Sequence, residues 1–281
     1  MVANKLTSRL PAAVYHALPG VSITRLKEIR RSPMHYRHLL DHPRESEAMT
    51  LGTAAHTAVL EPERFASQFA VWGERLESGA LRPRRGKDWD AWLAANSDRI
   101  VLTDVQQAEA MGIAQAVRMS HAAWPYLADG GDPEVTMEWE MAGRECRGRV
   151  DWIPSSHPHL LVGLKTARDC RHFAFGAAAA KLGYHLQWAW YHDGYRIITG
   201  IAPKMVEIVV ETAPPYAVAV YNIPEDIIQQ GRDEYRHCLE DLDACEHTGN
   251  FPGPQEYEED LTLPSWAYPQ QADDISDLDL E

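Results

Sequence analysis

Apolar and polar positions in the middle of the chain predict a β-hairpin. Residues 144–153 alternate between polar and apolar positions, and residues 160–167 form a mostly apolar run. Prolines and serines between the two runs indicate a connecting loop of several residues. Asp151 lies on the first predicted strand and Lys165 near the end of the second. Paired strands can therefore bring a carboxylate and an ammonium together beside a bound cation.

Helices are predicted before and after this hairpin in the sequence. Gln187 and Tyr191 are four positions apart on one predicted helix and share a face. Residues 203–222 contain two β-rich runs separated by two prolines, which predicts a second hairpin. The pattern indicates an α/β fold with a central mixed sheet of about five strands flanked by helices. Helices are predicted at 22–31, 33–40, 50–60, 88–96, 104–121 and 223–246, with one or two more within 172–199.

Composition places the chain among soluble globular proteins. Its 281 residues are 45% hydrophobic, and no apolar run reaches the roughly 18 residues of a membrane-spanning helix. The first residues lack the apolar core of a signal peptide, so we expect a cytoplasmic protein without membrane association. None of the four cysteines forms a C-x-x-C pair, which favours reduced thiols over a zinc ribbon or redox site.

The net charge of −14 is concentrated at one end of the chain. Residues 237–281 contain no Lys or Arg, and the preceding residues are nearly neutral. The acidity therefore argues little against a local basic groove. We predict an N-terminal lead at 1–20, one domain at 21–250, and an acidic, proline-rich, disordered tail at 251–281.

Several motifs in this order resemble a known family. They are Gly-Arg-Val-Asp151, a hydrophobic strand ending in Leu-Lys165-Thr, Gln187-x-x-x-Tyr191, and upstream patterns at 22–40, 51–56 and 59–62. Together they are similar to the PD-(D/E)XK (restriction-endonuclease-like) nuclease superfamily, in its RecB-like branch with the QxxxY motif. The upstream patterns look like the phage RecE-type exonuclease VIII domain. The resemblance covers roughly residues 15–250.

This resemblance implies a Mg²⁺-dependent (or Mn²⁺-dependent) exonuclease that resects double-stranded DNA from 5′ to 3′. The implied catalytic residues are Asp151, Lys165, Gln187 and Tyr191. The implied metal ligands are Asp151, His56 and the backbone carbonyl of Leu164, with Glu134 as a further candidate.

Gly163 departs from the family pattern. The second acidic ligand belongs two residues before the lysine, and glycine offers no side chain there. The alternative is therefore a catalytically inactive relative that still binds DNA or a partner. A third hypothesis is an interaction protein whose motifs are coincidental, which predicts neither divalent-metal binding nor salt-dependent DNA binding.

Each candidate also has a structural interpretation. His56 lies in an apolar run and can be a hydrogen-bonded core histidine. Glu134 can belong to the solvated face of an edge strand, and Gln187 and Tyr191 can be residues at the edge of the core. The basic residues Arg84, Arg85 and Lys87 can form a solvated loop or contact DNA phosphates. Arg147 and Arg149 alternate toward the predicted face of Asp151 and can also contact phosphate.

The resemblance also implies partners. Members of this type act on double-stranded DNA ends, form homo-oligomers such as rings, trimers or tetramers, and work with a single-strand annealing protein of RecT or Bet type. A bacterial or phage origin follows from the same resemblance. The acidic tail could dock the annealing partner or keep the assembly away from non-target DNA.

Overall fold

The computed structural model describes residues 4–42, 47–73, 75, 77–79, 82–255 and 257–263. The strands are β1 Lys5–Thr7, β2 Val21–Ser22, β3 Phe69–Val71, β4 Ile100–Leu102, β5 Gly131–Met141, β6 Arg144–Pro154, β7 Leu160–Ala167, β8 Lys204–Glu211 and β9 Val218–Asn222. The α-helices are α1 Ala12–Ala17, α2 Ile23–Leu26, α3 Pro33–Asp41, α4 Glu47–Leu60, α5 Phe65–Gln68, α6 Lys87–Ala95, α7 Asp104–Met119, α8 His172–Leu182, α9 Tyr184–Thr199 and α10 Glu225–Thr248.

A mixed sheet forms the centre of the fold. Its main path runs β1-β5-β6-β7-β8-β9, and β2 adds a seventh strand beside β6 within the described ranges. The β7–β8 pair is parallel, whereas β5–β6, β6–β7 and β8–β9 are antiparallel. The long strand β6 pairs with β2 near its start and with β7 near its end. Asp151 directly precedes Trp152, the residue of β6 that pairs with Val162 of β7.

Two apolar cores sandwich this sheet. One joins the sheet to α2, α9 and α10, and its largest fully buried side chains include Trp139 and Trp190. The other joins the opposite side to α4 and α7. A capping box at Thr103 and Gln106 starts α7, because each side chain binds a backbone amide of the other residue. The result is a helix–sheet–helix arrangement that holds α4 and α9 on either side of β6 and β7.

The observed fold confirms the predicted α/β class and both hairpins, and it shows two helices within residues 172–199, where one or two were predicted. The expected number of about five strands is too low for the described residues. The N-terminal lead also carries more structure than its sequence pattern indicates. Its three-residue strand β1 pairs with β5, and the main-chain hydrogen bonds of this pair stabilise it. No described helix is long and apolar enough to cross a membrane.

The start of the predicted tail packs against the domain. The amide of Met34 donates a hydrogen bond of 3.0 Å to the carbonyl oxygen of Pro252. Arg37 lies over the Phe251 ring, with its guanidinium carbon 6.0 Å from the ring centroid. Residues 264–281, which include much of the predicted disordered tail, lie outside the described residues.

Candidate active site

A polar cleft of about 400 Å³ lies where α4, β5, β6, β7 and α9 meet. Its walls include His56 from α4, Glu134 from β5, Asp151 from β6, Lys165 from β7, and Gln187 and Tyr191 from α9. The structure thus brings together, from five separate elements, the side chains that the sequence motifs singled out.

Three of these side chains form a potential cation site. The ligand atoms of His56, Glu134 and Asp151 all lie within 4.8 Å of one another, and all three residues are half-buried. Donor atoms on one Mg²⁺ or Mn²⁺ ion lie about 3 to 4 Å apart, because each is about 2.1 Å from the ion. Only a small side-chain adjustment is therefore needed for one divalent cation. Two carboxylates and an imidazole fit such an ion, although the imidazole suits Mn²⁺ better than Mg²⁺.

Glu134 reaches this site through an unusual backbone conformation. Its φ is +52°, in the left-handed region that non-glycine residues rarely adopt. The β5–β6 register pairs Pro133 with Trp152 and Val135 with Val150, so Glu134 faces Asp151 where the pairing is interrupted. Arg149 holds the carboxylate of Glu134 through an Nε–Oε2 contact of 2.7 Å. Burial raises the pKa of Glu134, and the nearby Arg149 opposes that rise.

The carboxylate of Asp151 has a hydrogen-bond donor and two basic side chains close to it. Its Oδ2 accepts a hydrogen bond of 2.8 Å from the amide of Leu164 and lies 3.6 Å from Nζ of Lys165. Its Oδ1 lies 4.0 Å from Nδ1 of His56. Burial would raise the pKa of Asp151, but these neighbours outweigh it and hold the pKa below its ordinary value. The expected role of the Leu164 carbonyl as a ligand stays a prediction.

Lys165 lies between two carboxylates. Its Nζ is 3.6 Å from Asp151 Oδ2 and 3.7 Å from Oε1 of Glu207 on β8. Burial alone would lower the pKa of Lys165, yet Glu207 and Asp151 more than offset that effect and raise it. The ammonium therefore remains charged at neutral pH. A charged ammonium can donate hydrogen bonds to a water molecule or a phosphate oxygen.

The two α9 residues form one unit beside the lysine. Nε2 of Gln187 donates a hydrogen bond of 2.9 Å to Oη of Tyr191. The Tyr191 ring packs so closely on β6 that a Cβ at Gly148 would lie 2.8 Å from it, so only glycine fits there. Burial raises the pKa of Tyr191, so the phenol stays neutral. Both residues line the cleft, and their contact with DNA stays a prediction.

Glu207 is the site residue that the sequence motifs missed. It is only 2% exposed and contacts Lys165 directly. The available signal was an acid within the otherwise apolar run 205–210, because a buried carboxylate is rare without a partner. Its position beside the lysine depends on the parallel β7–β8 register, which the sequence pattern does not show.

The predicted DNA-contacting arginines behave differently from one another. Arg147 is 2% exposed, and its guanidinium donates to the carbonyl oxygens of Tyr15, His16 and Leu18. The expectation that Arg147 contacts phosphate is therefore corrected: the N-terminal segment covers this part of β6. Arg149 does line the cleft, where it stacks on the ring of Tyr15 at 4.6 Å.

The basic segment before α6 lies outside the cleft lining. Arg84, Arg85 and Lys87 are all exposed. Arg84 lies over the ring of Trp89 and donates a hydrogen bond to the carbonyl oxygen of Leu102. Arg85 and Lys87 are better placed than Arg84 for an added ligand, and contact of this segment with DNA stays a prediction.

Comparison with known proteins places this geometry in a fold family. A candidate exonuclease from Eubacterium rectale has a similar solved structure, with a TM-score of 0.57, 14% identity, and coverage of 91% of this chain and 97% of that one. A phage-related exonuclease from Haemophilus somnus shares 11% identity over 83% of this chain and 98% of its own, with a TM-score of 0.35. At such identities the first likeness shows the fold alone, and the second carries no argument.

No curated protein matches this chain significantly. A family model described as a PDDEXK-like domain of unknown function matches residues 22–259, which is most of the chain. The match agrees with the motif order and with the sheet that carries Asp151 and Lys165. The chain belongs to the family of PDDEXK-like domains of unknown function, DUF3799.

Proposed function

We propose that this protein is a divalent-metal-dependent deoxyribonuclease that digests double-stranded DNA from its ends. The observation that carries the proposal is the convergence of Asp151, Lys165 and the His56–Glu134 pair in one polar cleft. A lysine beside a carboxylate and a potential cation site is an arrangement that can promote phosphodiester hydrolysis. Mg²⁺ or Mn²⁺ is the proposed cofactor.

Each residue has a role in the proposed reaction. His56, Glu134 and Asp151 would hold the cation, which would stabilise the charge that develops on the phosphate. Lys165, kept protonated by its two carboxylate neighbours, would donate a hydrogen bond to the attacking water or to a phosphate oxygen. The water oxygen would bond to phosphorus as the bond to the leaving nucleotide oxygen breaks. The attacking water would release one proton to solvent, and the leaving oxygen would take up one proton from solvent. Gln187 and Tyr191 would position the lysine and the strand that is cut.

The finer features of the proposal follow the resemblance to RecE-type exonucleases. We infer 5′-to-3′ resection that prepares DNA for single-strand annealing, a homo-oligomeric assembly such as a ring, trimer or tetramer, and an annealing partner of RecT or Bet type. A cytoplasmic, bacterial or phage-encoded enzyme fits that role. The candidate exonuclease from Eubacterium rectale, which shares the fold, supports nuclease chemistry as the first activity to test.

The decisive experiment is digestion of linear duplex DNA with Mg²⁺ or Mn²⁺. Lys165→Ala is expected to lower the rate by about a hundredfold or more, because it removes a charge that acts on the transition state. Lys181→Ala, which removes an exposed lysine at the end of α8, is the matched control and should digest DNA at the wild-type rate. Digestion that is equal in both variants, or absent from the wild type, would refute the proposal.

The second candidate is a non-catalytic DNA-binding relative, and Gly163 is the observation that favours it. The strand that carries Lys165 has no carboxylate at this position. Such a protein would bind DNA with an affinity that falls as salt rises. It would leave the DNA intact with every divalent cation, which the same digestion assay detects.

A further inference from the structure

Glu207 occupies the space that a side chain at Gly163 would need. The two residues are direct partners in the parallel β7–β8 pair. A Cβ at Gly163 would lie 2.4 Å from Oε1 of Glu207 and 2.5 Å from its Oε2. The neighbouring strand has thus placed a carboxylate over the one site position where β7 has no side chain.

The contacts of Glu207 leave one of its oxygens available. Nε1 of Trp188 donates a hydrogen bond of 2.6 Å to Oε2 and so fixes the carboxylate. Oε1 is buried and accepts no hydrogen bond from the described residues, and its polar neighbour is Nζ of Lys165 at 3.7 Å. A buried carboxylate oxygen without a donor is costly unless a cation compensates it.

The need to neutralise Lys165 does not by itself explain the position of Glu207. Asp151 already lies 3.6 Å from Lys165 and balances its charge. Glu207 places a second carboxyl group beside the same buried ammonium, and burial raises its pKa although Lys165 opposes that rise. Its ionised form is unfavourable in an apolar interior unless further positive charge arrives. A divalent cation beside Asp151 would supply that charge.

We propose that Glu207 provides, from β8, the second acidic metal ligand that β7 lacks at Gly163, and that it acts together with Asp151. This inference rests on the proposed nuclease function and makes it more specific. It implies that the departure at Gly163 is a relocation of the carboxylate from one strand to the next rather than its loss.

Mn²⁺ binding to the full-length protein, followed by electron paramagnetic resonance, tests this inference without relying on activity. Glu207→Gln keeps the shape of the side chain and an oxygen for Trp188 but removes the charge. It should weaken Mn²⁺ binding by more than about tenfold. Substitutions of residues that only support the ligands weaken metal binding by about ten- to a hundredfold. A melting curve confirms that the variant is folded.

The swap variant Gly163→Asp/Glu207→Ala provides the second arm. It moves the carboxylate back to β7 and should bind Mn²⁺ within a few-fold of the wild type, whereas Glu207→Ala alone should not. Wild-type affinity in Glu207→Gln, or no recovery in the folded swap variant, would overturn the inference. If the wild type digests DNA but the Glu207→Gln variant keeps full Mn²⁺ affinity, the inference is refuted and the proposed function is not. A wild type that binds no Mn²⁺ and cuts no DNA would refute both.

Discussion

The substitution Gly163→Asp is expected to destabilise the protein, although it restores the acid that the family pattern requires. Gly163 lies in a strand without a left-handed φ, so its backbone accepts a side chain. The obstacle is space, because the new Cβ would lie 2.4 Å from Oε1 of Glu207, well inside the 3.4–4 Å of ordinary contact. Overpacking costs about 1–3 kcal/mol, and a second carboxylate next to a buried one adds to this, so we expect a loss of about 2–4 kcal/mol.

Urea denaturation of four proteins measures this effect as a double-mutant cycle. Removing the carboxylate with Glu207→Ala should relieve most of the cost of Gly163→Asp, which gives an interaction free energy of about 1–3 kcal/mol. Gly176→Asp is the control, because a Cβ at this exposed position meets nothing within 4 Å. It should change stability by only about 0.5 kcal/mol. An equal cost of Gly163→Asp with and without Glu207 would show that the carboxylate does not lie over the glycine.

Three further predictions concern charged residues outside the proposed cation site. Arg147→Ala should lower the free energy of unfolding by about 2–4 kcal/mol, because it removes a buried side chain and its hydrogen bonds to the carbonyl oxygens of Tyr15, His16 and Leu18; an unchanged urea midpoint would contradict this. Burial would raise the pKa of Asp193, but its bonds to Arg232 and other donors hold it below the ordinary value. Its contribution to stability is therefore complete above about pH 4 and lost as the pH falls further, so Asp193→Asn should flatten the acid limb of the unfolding free energy. Arg85→Ala should lower by about one the slope of log DNA affinity against log salt concentration, measured by fluorescence anisotropy. Arg84→Ala should mainly reduce stability, because Arg84 packs on Trp89. An unchanged slope would show that Arg85 does not contact DNA.

The sequence predicted features that depend on local signals. The β6–β7 hairpin follows from alternation and a proline-rich loop, and the structure confirms both strands. The positions of Asp151 and Lys165 follow from that hairpin and its motif, and their contact at 3.6 Å agrees with it. Helix spacing also placed Gln187 and Tyr191 on one face, where their side chains form a hydrogen bond.

The features that sequence reasoning missed depend on contacts between distant segments. Strand β1 exists because it pairs with β5, more than a hundred residues away along the chain. Arg147 is buried because the α1 segment turns its carbonyl groups toward it, which alternation along β6 alone does not reveal. Glu207 meets Gly163 only because β7 and β8 are parallel partners separated in sequence by two helices. Periodicity reports which face of an element is apolar, but not which element covers it.

The left-handed backbone of Glu134 lowers folding stability, whereas its carboxylate belongs to the proposed cation site. A non-glycine residue in this conformation costs about 1 kcal/mol or more, and glycine would release that strain. Glycine would also remove the carboxylate that faces Asp151 and leave Arg149 without its ion-pair partner. Selection for thermal tolerance alone would therefore favour the loss of this glutamate, and selection for cation binding would favour its retention. Position 134 is accordingly one place where an engineered, more heat-resistant version of this domain should be left unchanged.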